Sequence, residues 1–162
     1  MAKLTFKGSD EYALKLSQLA GRSDEVAKMA VYSGAKIVAD KIKANLDAMP
    51  TEQFRFLRGG DKFTGLTKDQ KEDLLESFGI TSITRDGEGY ITAKIGFDGY
   101  GRMKTRKYPN GLPNPLLARA VESGSSVRKK HPFVRPAVDA TRKAVIEKMD
   151  AVIEEEIRKL GL

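Results

Sequence analysis

Two prolines, Pro132 and Pro136, bracket Phe133-Val134-Arg135 just ahead of the longest helical pattern in the chain. Each proline fixes its own φ at about −65° and biases the residue before it away from helical geometry. The backbone must turn stiffly there, with Pro136 suited to an early helical position. Behind this corner Val134, Val138, Thr141, Val145, Met149, Val152, Ile153, Ile157 and Leu160 recur at helical spacing. They predict an amphipathic helix over about 134–160, roughly 40 Å long at ~1.5 Å per residue. Phe133 is placed to anchor the corner in a core, and Arg135 to reach a carboxylate such as Glu122 in a bidentate pair.

A second long helix is expected near the N-terminus. Leu4 and Phe6 alternate with polar residues, which predicts a short strand over 3–7. Ser9 or Asp10 can cap a short helix carrying Leu14, Leu16 and Leu19, with Gly21 as its stop. Ser23 then starts the long helix, with Asp24 and Glu25 in its first turn and an apolar face of Val26, Ala30, Ser33, Ile37, Val38, Ile42 and Leu46. Gly34 and Ala35 leave room there for another element to approach closely, and Pro50 ends the pattern.

The middle of the chain changes character. Residues 50–66 place Phe54, Phe56 and Phe63 among arginines and glycines with no sustained period, which reads as a long loop. Thr67 with Gln70 matches a capping box for a short helix ending near Ser77. A hairpin is predicted next, from Ile80 through the Asp86-Gly87-Glu88-Gly89 turn and back along Ile91, Ala93, Ile95 and Phe97. Residues 98–115 form a second long loop, and Pro115 opens a short helix that Gly124 closes. The fold class expected is α+β, a single domain over 1–162. Its small antiparallel sheet, the central hairpin plus the N-terminal strand, packs against two long amphipathic helices.

Chemistry is sparse in the sequence. Without cysteine there are no disulfides or thiolate metal sites, which fits a chain made in a reducing cytosol. The single His131 follows three basic residues and precedes a proline, where a solvated side chain is the ordinary reading rather than a general base. Glu72-Asp73 and Glu154-Glu155-Glu156 read as solvated helix faces. Gly96-Phe97-Asp98-Gly99-Tyr100-Gly101 lacks the helix and the Lys-Ser/Thr pair of a phosphate-binding loop. No run approaches the ~20 apolar residues of a membrane span, Met1–Lys7 lacks the layout of a secretory signal, and the apolar fraction of 40% suffices for a core. No enzyme activity, cofactor, metal or membrane partner is expected.

The net charge of +7 makes nucleic acid a candidate neighbour. Two clusters carry it: Arg102, Lys104, Arg106 and Lys107 beside Tyr100 and Tyr108, and Arg128, Lys129 and Lys130 beside His131. Such side chains can neutralise phosphates without reading sequence. The bland alternative for each cluster is a solubilising loop.

The C-terminal third has a more specific signature. Ala120-Val121-Glu122-Ser123-Gly124-Ser125, a short spacer, Pro132-Phe133-Val134-Arg135-Pro136-Ala137 and a long amphipathic helix resemble the Hong Kong ninety-seven gene-product-ten family. Its members are phage neck or tail-completion proteins, similar in role to the minor tail protein Z of lambda. Thr64-Gly65-Leu66 and Leu74-Leu75-Glu76-Ser77-Phe78 look like the stretch that precedes the family's hairpin, here separated by an extra helical segment. The loop 98–115 is a second departure. The resemblance implies a virion assembly protein acting as a ring, hexameric by analogy, that completes the tail and joins it to the head connector around the DNA channel. The implied partners are further copies of the chain, a tail terminator or tail-tube protein, and a connector or stopper protein. The implied place is the neck of the virion, after assembly in the host cytoplasm. Glu122, Gly124, Phe133, Arg135 and Pro136 would fix the helix start and contribute a subunit contact. Arg102, Lys104, Arg106, Lys107, Arg128, Lys129 and Lys130 would face the DNA channel or a partner. The alternative is a non-specific nucleic-acid-binding module that uses the basic loops.

Overall fold

The computed structural model describes residues 9–161, so the strand expected over 3–7 lies outside the described residues. The elements run α1 (Ser9–Asp47), α2 (Lys68–Ser77), β1 (Phe78–Ile80), β2 (Thr84–Arg85), β3 (Ile91–Thr92), β4 (Ile95–Phe97), α3 (Asn114–Ser123) and α4 (Val134–Lys159). The fold class is α+β: helices dominate and a small antiparallel hairpin packs beside them.

Gly21 does not stop a helix. The two helices expected on either side of it are one, α1, 39 residues long. A glycine costs a helix interior only about 1 kcal/mol, and long-range contacts offset that here. Arg22 meets Glu156 of α4 at 3.4 Å, Lys15 donates to the Gly161 carbonyl at 3.3 Å, and Val26 is buried. Farther along, α1 and α4 come close at Gly34, where a Cβ would sit 3.0 Å from Val145 and 3.1 Å from Met149. The close approach expected at that glycine is therefore present.

The predicted stripe of α4 largely turns inward: Thr141 is buried and Val134, Val145, Met149, Val152, Ile157 and Leu160 are half-buried, while Val138 and Ile153 are more than a third exposed. Ala137 and Glu156, outside the stripe, are buried as well. Glu156 can lie inside because Lys159 donates to it at 2.6 Å and Arg22 from α1 lies on its other oxygen. The solvated reading of the Glu154–Glu156 run fails at that one residue.

The main core sits where the C-terminal end of α1 meets α2, α3 and the start of α4. Ile42, Leu46, Met49, Leu66, Leu74, Leu117, Val121, Phe133 and Ala137 are all buried in it. Phe78 and Phe97 pack beside it with tilted rings 5.1 Å apart, and Phe97 meets Phe133 edge-on at 5.9 Å. Thr67 and Gln70 form the expected capping box: the Gln70 N–H donates to Thr67 Oγ1 at 3.2 Å, and the Thr67 N–H to Gln70 Oε1 at 3.1 Å.

The hairpin is present but interrupted. β1 pairs with β4 in the register Ile80↔Ile95, and β2 with β3 in the register Thr84↔Thr92. Residues 81–83 therefore stand opposite 93–94 alone, a bulge of one residue. Thr81 fills the gap: its N–H donates to the Lys94 carbonyl at 2.8 Å and its hydroxyl accepts the Lys94 N–H at 3.1 Å. The extra residue splits the predicted hairpin into two short ladders.

Candidate functional site

The corner ahead of α4 is built around Glu122. Its carboxylate accepts the backbone N–H groups of Phe133 at 2.7 Å, Val134 at 2.9 Å and Arg135 at 3.0 Å. These are the donors that a helix start leaves without intrahelical partners, and the Phe133 cap position supplies no side-chain acceptor of its own. Burial opposes ionisation of Glu122 most strongly, but the three N–H groups with Arg135 outweigh it and hold the carboxyl below its ordinary value. Negative charge at this end also suits the helix dipole. The bidentate Glu122–Arg135 pair does not form. Arg135 Nε stays 4.0 Å from the carboxylate, and its side chain is 71% exposed, because the backbone has taken both oxygens. Gly124 ends α3 at φ 81°, where its N–H donates to the Ala120 carbonyl at 2.9 Å. Phe133 is fully buried and its carbonyl accepts from Asn45 at 3.0 Å, so it anchors the corner as expected. Pro136 lies exposed in the first turn of α4.

Arg102 does not stand free for a phosphate. It reaches back to α2, where Nε meets Asp73 at 2.7 Å and Nη2 meets Glu72 at 3.0 Å, with Asp69 close by. Its own N–H also donates to Asp73 at 2.8 Å. Donating to the Asp73 and Glu72 carboxylates raises the guanidinium pKa above its ordinary value. Asp73 is buried by this pairing, which overturns its reading as a solvated residue. The loop beyond is pinned at its base: the Leu112 N–H donates to the Met103 carbonyl at 2.7 Å and the Gly101 N–H to the Leu112 carbonyl at 2.8 Å. Lys104, Arg106 and Lys107 remain exposed around its tip, with no carboxylate within 4 Å among the described residues.

The second cluster also splits. Arg128 is buried, donates to the Gly65 carbonyl and, at 3.2 Å, to Gln70 Oε1, and lies over the Phe63 ring. Burial lowers its pKa. It is an interior strut between two loops rather than a channel-facing residue, and the burial comes from contacts 58 and 63 residues away. Lys129 and Lys130 stay exposed.

Loop 50–66 has neither helix nor strand, as expected, yet it is tied down. Glu52 accepts from the N–H groups of Thr64 at 2.6 Å and Gly65 at 2.7 Å, and from Arg55 at 2.6 Å. Burial again works against ionisation, and these donors outweigh it, so the carboxyl sits below its ordinary value. Phe54 and Phe63 stack at 5.9 Å, and Phe56, 91% exposed, packs its edge on Phe54.

These loops enclose a feature that sequence reasoning missed. An apolar groove of about 340 Å³ runs between Phe54, Phe63, Met103, Leu112, Leu116 and Val127. The segments around it, 53–63, 103–112, 116–120 and 125–130, carry ten basic residues and one acidic residue, Asp61, out of the chain's 29 and 22. The excess positive charge of the chain therefore falls in these segments, although Arg128 among them is buried and Arg55 pairs with Glu52. The only signal in the sequence was the cluster of phenylalanines without a helical or strand period: aromatic residues that build no amphipathic face. Among the described residues no group of His, Cys, Asp and Glu is arranged to hold a metal ion, and no helix is long and apolar enough to cross a membrane. Comparison of the chain with protein-family models, curated proteins and solved structures finds no match in any of the three.

Proposed function

We propose that the chain is a non-enzymatic assembly protein of a long-tailed bacteriophage, a ring subunit that completes the tail and joins it to the head connector. The family-like corner from Glu122 to Ala137 motivates the phage assignment. The observation that carries an assembly role is the loop face: an apolar groove with Phe54 and Phe56 exposed beside it, mounted on a helical core. Large aromatic side chains left exposed together mark protein interfaces more often than scattered surface residues do. Loops held by Glu52, Glu122, Arg102 and Arg128 can present such a face in a defined shape, which lowers the ordering cost of assembly.

The experiment is removal of the gene from its phage, followed by electron microscopy and complementation. Separate filled heads and tails, rejoined when the protein is supplied, are the expected result. Normal joined particles without the gene would exclude the role.

A second reading has its own observation. Lys104, Arg106, Lys107, Lys129 and Lys130 are exposed on neighbouring loops, and that favours non-specific contact with nucleic-acid phosphates. In a ring around DNA the two readings are compatible; on free DNA the second stands alone.

A further inference from the structure

The loop-face groove has a complement on the same chain. In the C-terminal half of α4, Ile146 is 56% and Ile153 37% exposed. Asp150 lies four residues after the first and three before the second, so all three share one helix face. Glu154 follows beside them, and neither acid has a basic partner within 4 Å among the described residues. This is an acidic strip with two aliphatic anchors, whereas the groove is apolar and bordered by unpaired cations.

We propose that the Ile146–Ile153 face of α4 in one copy of this chain docks in the Phe54–Leu116–Val127 groove of the next. The inference deepens the ring reading and rests on it for taking the groove as a subunit interface. Three arguments select a second copy as the occupant. Charge is complementary, because the groove segments hold ten basic residues against one acidic, whereas residues 146–156 of α4 hold five acidic residues against one basic. The groove is lined by Leu112, Leu116, Met103 and Val127, which suit aliphatic side chains better than nucleotide bases or phosphates. The two surfaces also lie on separate elements, since no α4 residue lines the groove. Ile153 lies roughly 28 Å along α4 from Val134 at ~1.5 Å per residue, and α4 is held on that course by α1 through Gly34 and the Arg22–Glu156 pair. Two different patches at separated places on one subunit give a heterologous contact, which closes into a ring when its rotation allows.

The test uses charge reversal in the full chain, read by native mass spectrometry and analytical ultracentrifugation. One variant carries Lys104→Glu, Arg106→Glu and Lys107→Glu; the other carries Asp150→Lys and Glu154→Lys. The wild type should self-associate, each variant alone should do so at least tenfold more weakly, and an equimolar mixture should regain assemblies of alternating subunits. Such rescue also shows that both variants are folded. Three results would overturn the proposal: variants that assemble like the wild type, a mixture that stays monomeric, or a wild type that associates only when single-stranded DNA is added. A wild type that is monomeric at every concentration would overturn it too. Failure of this contact in a protein that still joins heads to tails would leave the neck role standing. Self-assembly without any joining defect in the phage lacking the gene would leave the contact and remove the role.

Discussion

Phe133 donates its backbone N–H to the Glu122 carboxylate at 2.7 Å, eleven residues back along the chain. The next two N–H groups donate to the same carboxylate, so the C-terminal turn of α3 caps the N-terminus of α4. That relation ties the end of α3 to the start of α4.

Replacing Glu122 by alanine leaves three donors of a partly buried turn without their acceptor. Hydrogen bonds to charged groups contribute about 1.5–3 kcal/mol each, but water reaches part of this turn, so a total loss of about 2–4 kcal/mol is expected. Urea unfolding at neutral pH measures it. A change below about 0.5 kcal/mol would show that the cap is dispensable.

The same carboxylate links stability to pH. Its native pKa is lowered from the usual 4.5, so its contribution is fully present above that value and is lost as pH falls through the native one. Glu52 acts in the same direction. Urea unfolding of wild type and Glu122→Gln should therefore show a stability gap at pH 7 that narrows on acidification below about pH 4.5. A gap independent of pH down to pH 3 would contradict the assignment.

Arg128 and Lys129 are neighbours in sequence with opposite roles. Arg128→Ala leaves the Gly65 carbonyl without its donor and Gln70 Oε1 with the Thr67 N–H alone, and is expected to cost about 1–3 kcal/mol. Arg128→Lys should recover only part of that, since an ammonium cannot serve both acceptors and the Phe63 ring in one plane. Lys129→Ala should stay within about 0.5 kcal/mol of wild type. Equal effects at the two positions in denaturant titrations would sink the distinction.

Gly34 sets the spacing of α1 and α4. Gly34→Leu drives a side chain into Val145 and Met149 and should cost about 1–3 kcal/mol. Gly34→Ala adds one methyl at 3.0 Å from Val145, a close approach offset by the roughly 1 kcal/mol gain in helix propensity, and should be nearly neutral. Thermal unfolding of both variants checks the order; a Leu variant as stable as Ala would refute it.

The nucleic-acid reading can be tested residue by residue. If the exposed loop cations touch duplex DNA, replacing Lys104, Arg106 and Lys107 by alanine should flatten the plot of log affinity against log salt by ~0.9 for every phosphate that is no longer neutralised. Arg102→Ala should leave the slope unchanged, because that guanidinium is already engaged with Asp69, Glu72 and Asp73. A slope reduced as much by Arg102→Ala as by the triple variant would return Arg102 to the phosphate-facing group.

The candidate site was only partly legible in the sequence. The clustering of Lys104, Arg106, Lys107, Lys129 and Lys130 is visible there because they lie in short runs. The groove they border is not, since Phe54, Met103, Leu116 and Val127 come from four separate segments. Arg102 and Arg128 looked like members of the same runs, yet each found interior partners 29 to 63 residues away.

Local signals settled the rest of what could be read. The Thr67–Gln70 box starts α2, Pro115 and Gly124 bound α3, the two prolines set the start of α4, and Asp86–Gly89 turns the hairpin. Each acts within a few residues, so sequence alone determines it. Tertiary structure decided that α1 runs through Gly21, that a bulge shifts the hairpin register, and that Glu122 serves the backbone of α4 rather than the Arg135 side chain. It also decided that Glu156, Asp73 and Arg128 belong inside. The physical reason is common to all of these: burial and pairing of a charge or a carboxylate depend on which distant groups the fold brings within about 3 Å, and no local pattern encodes that distance.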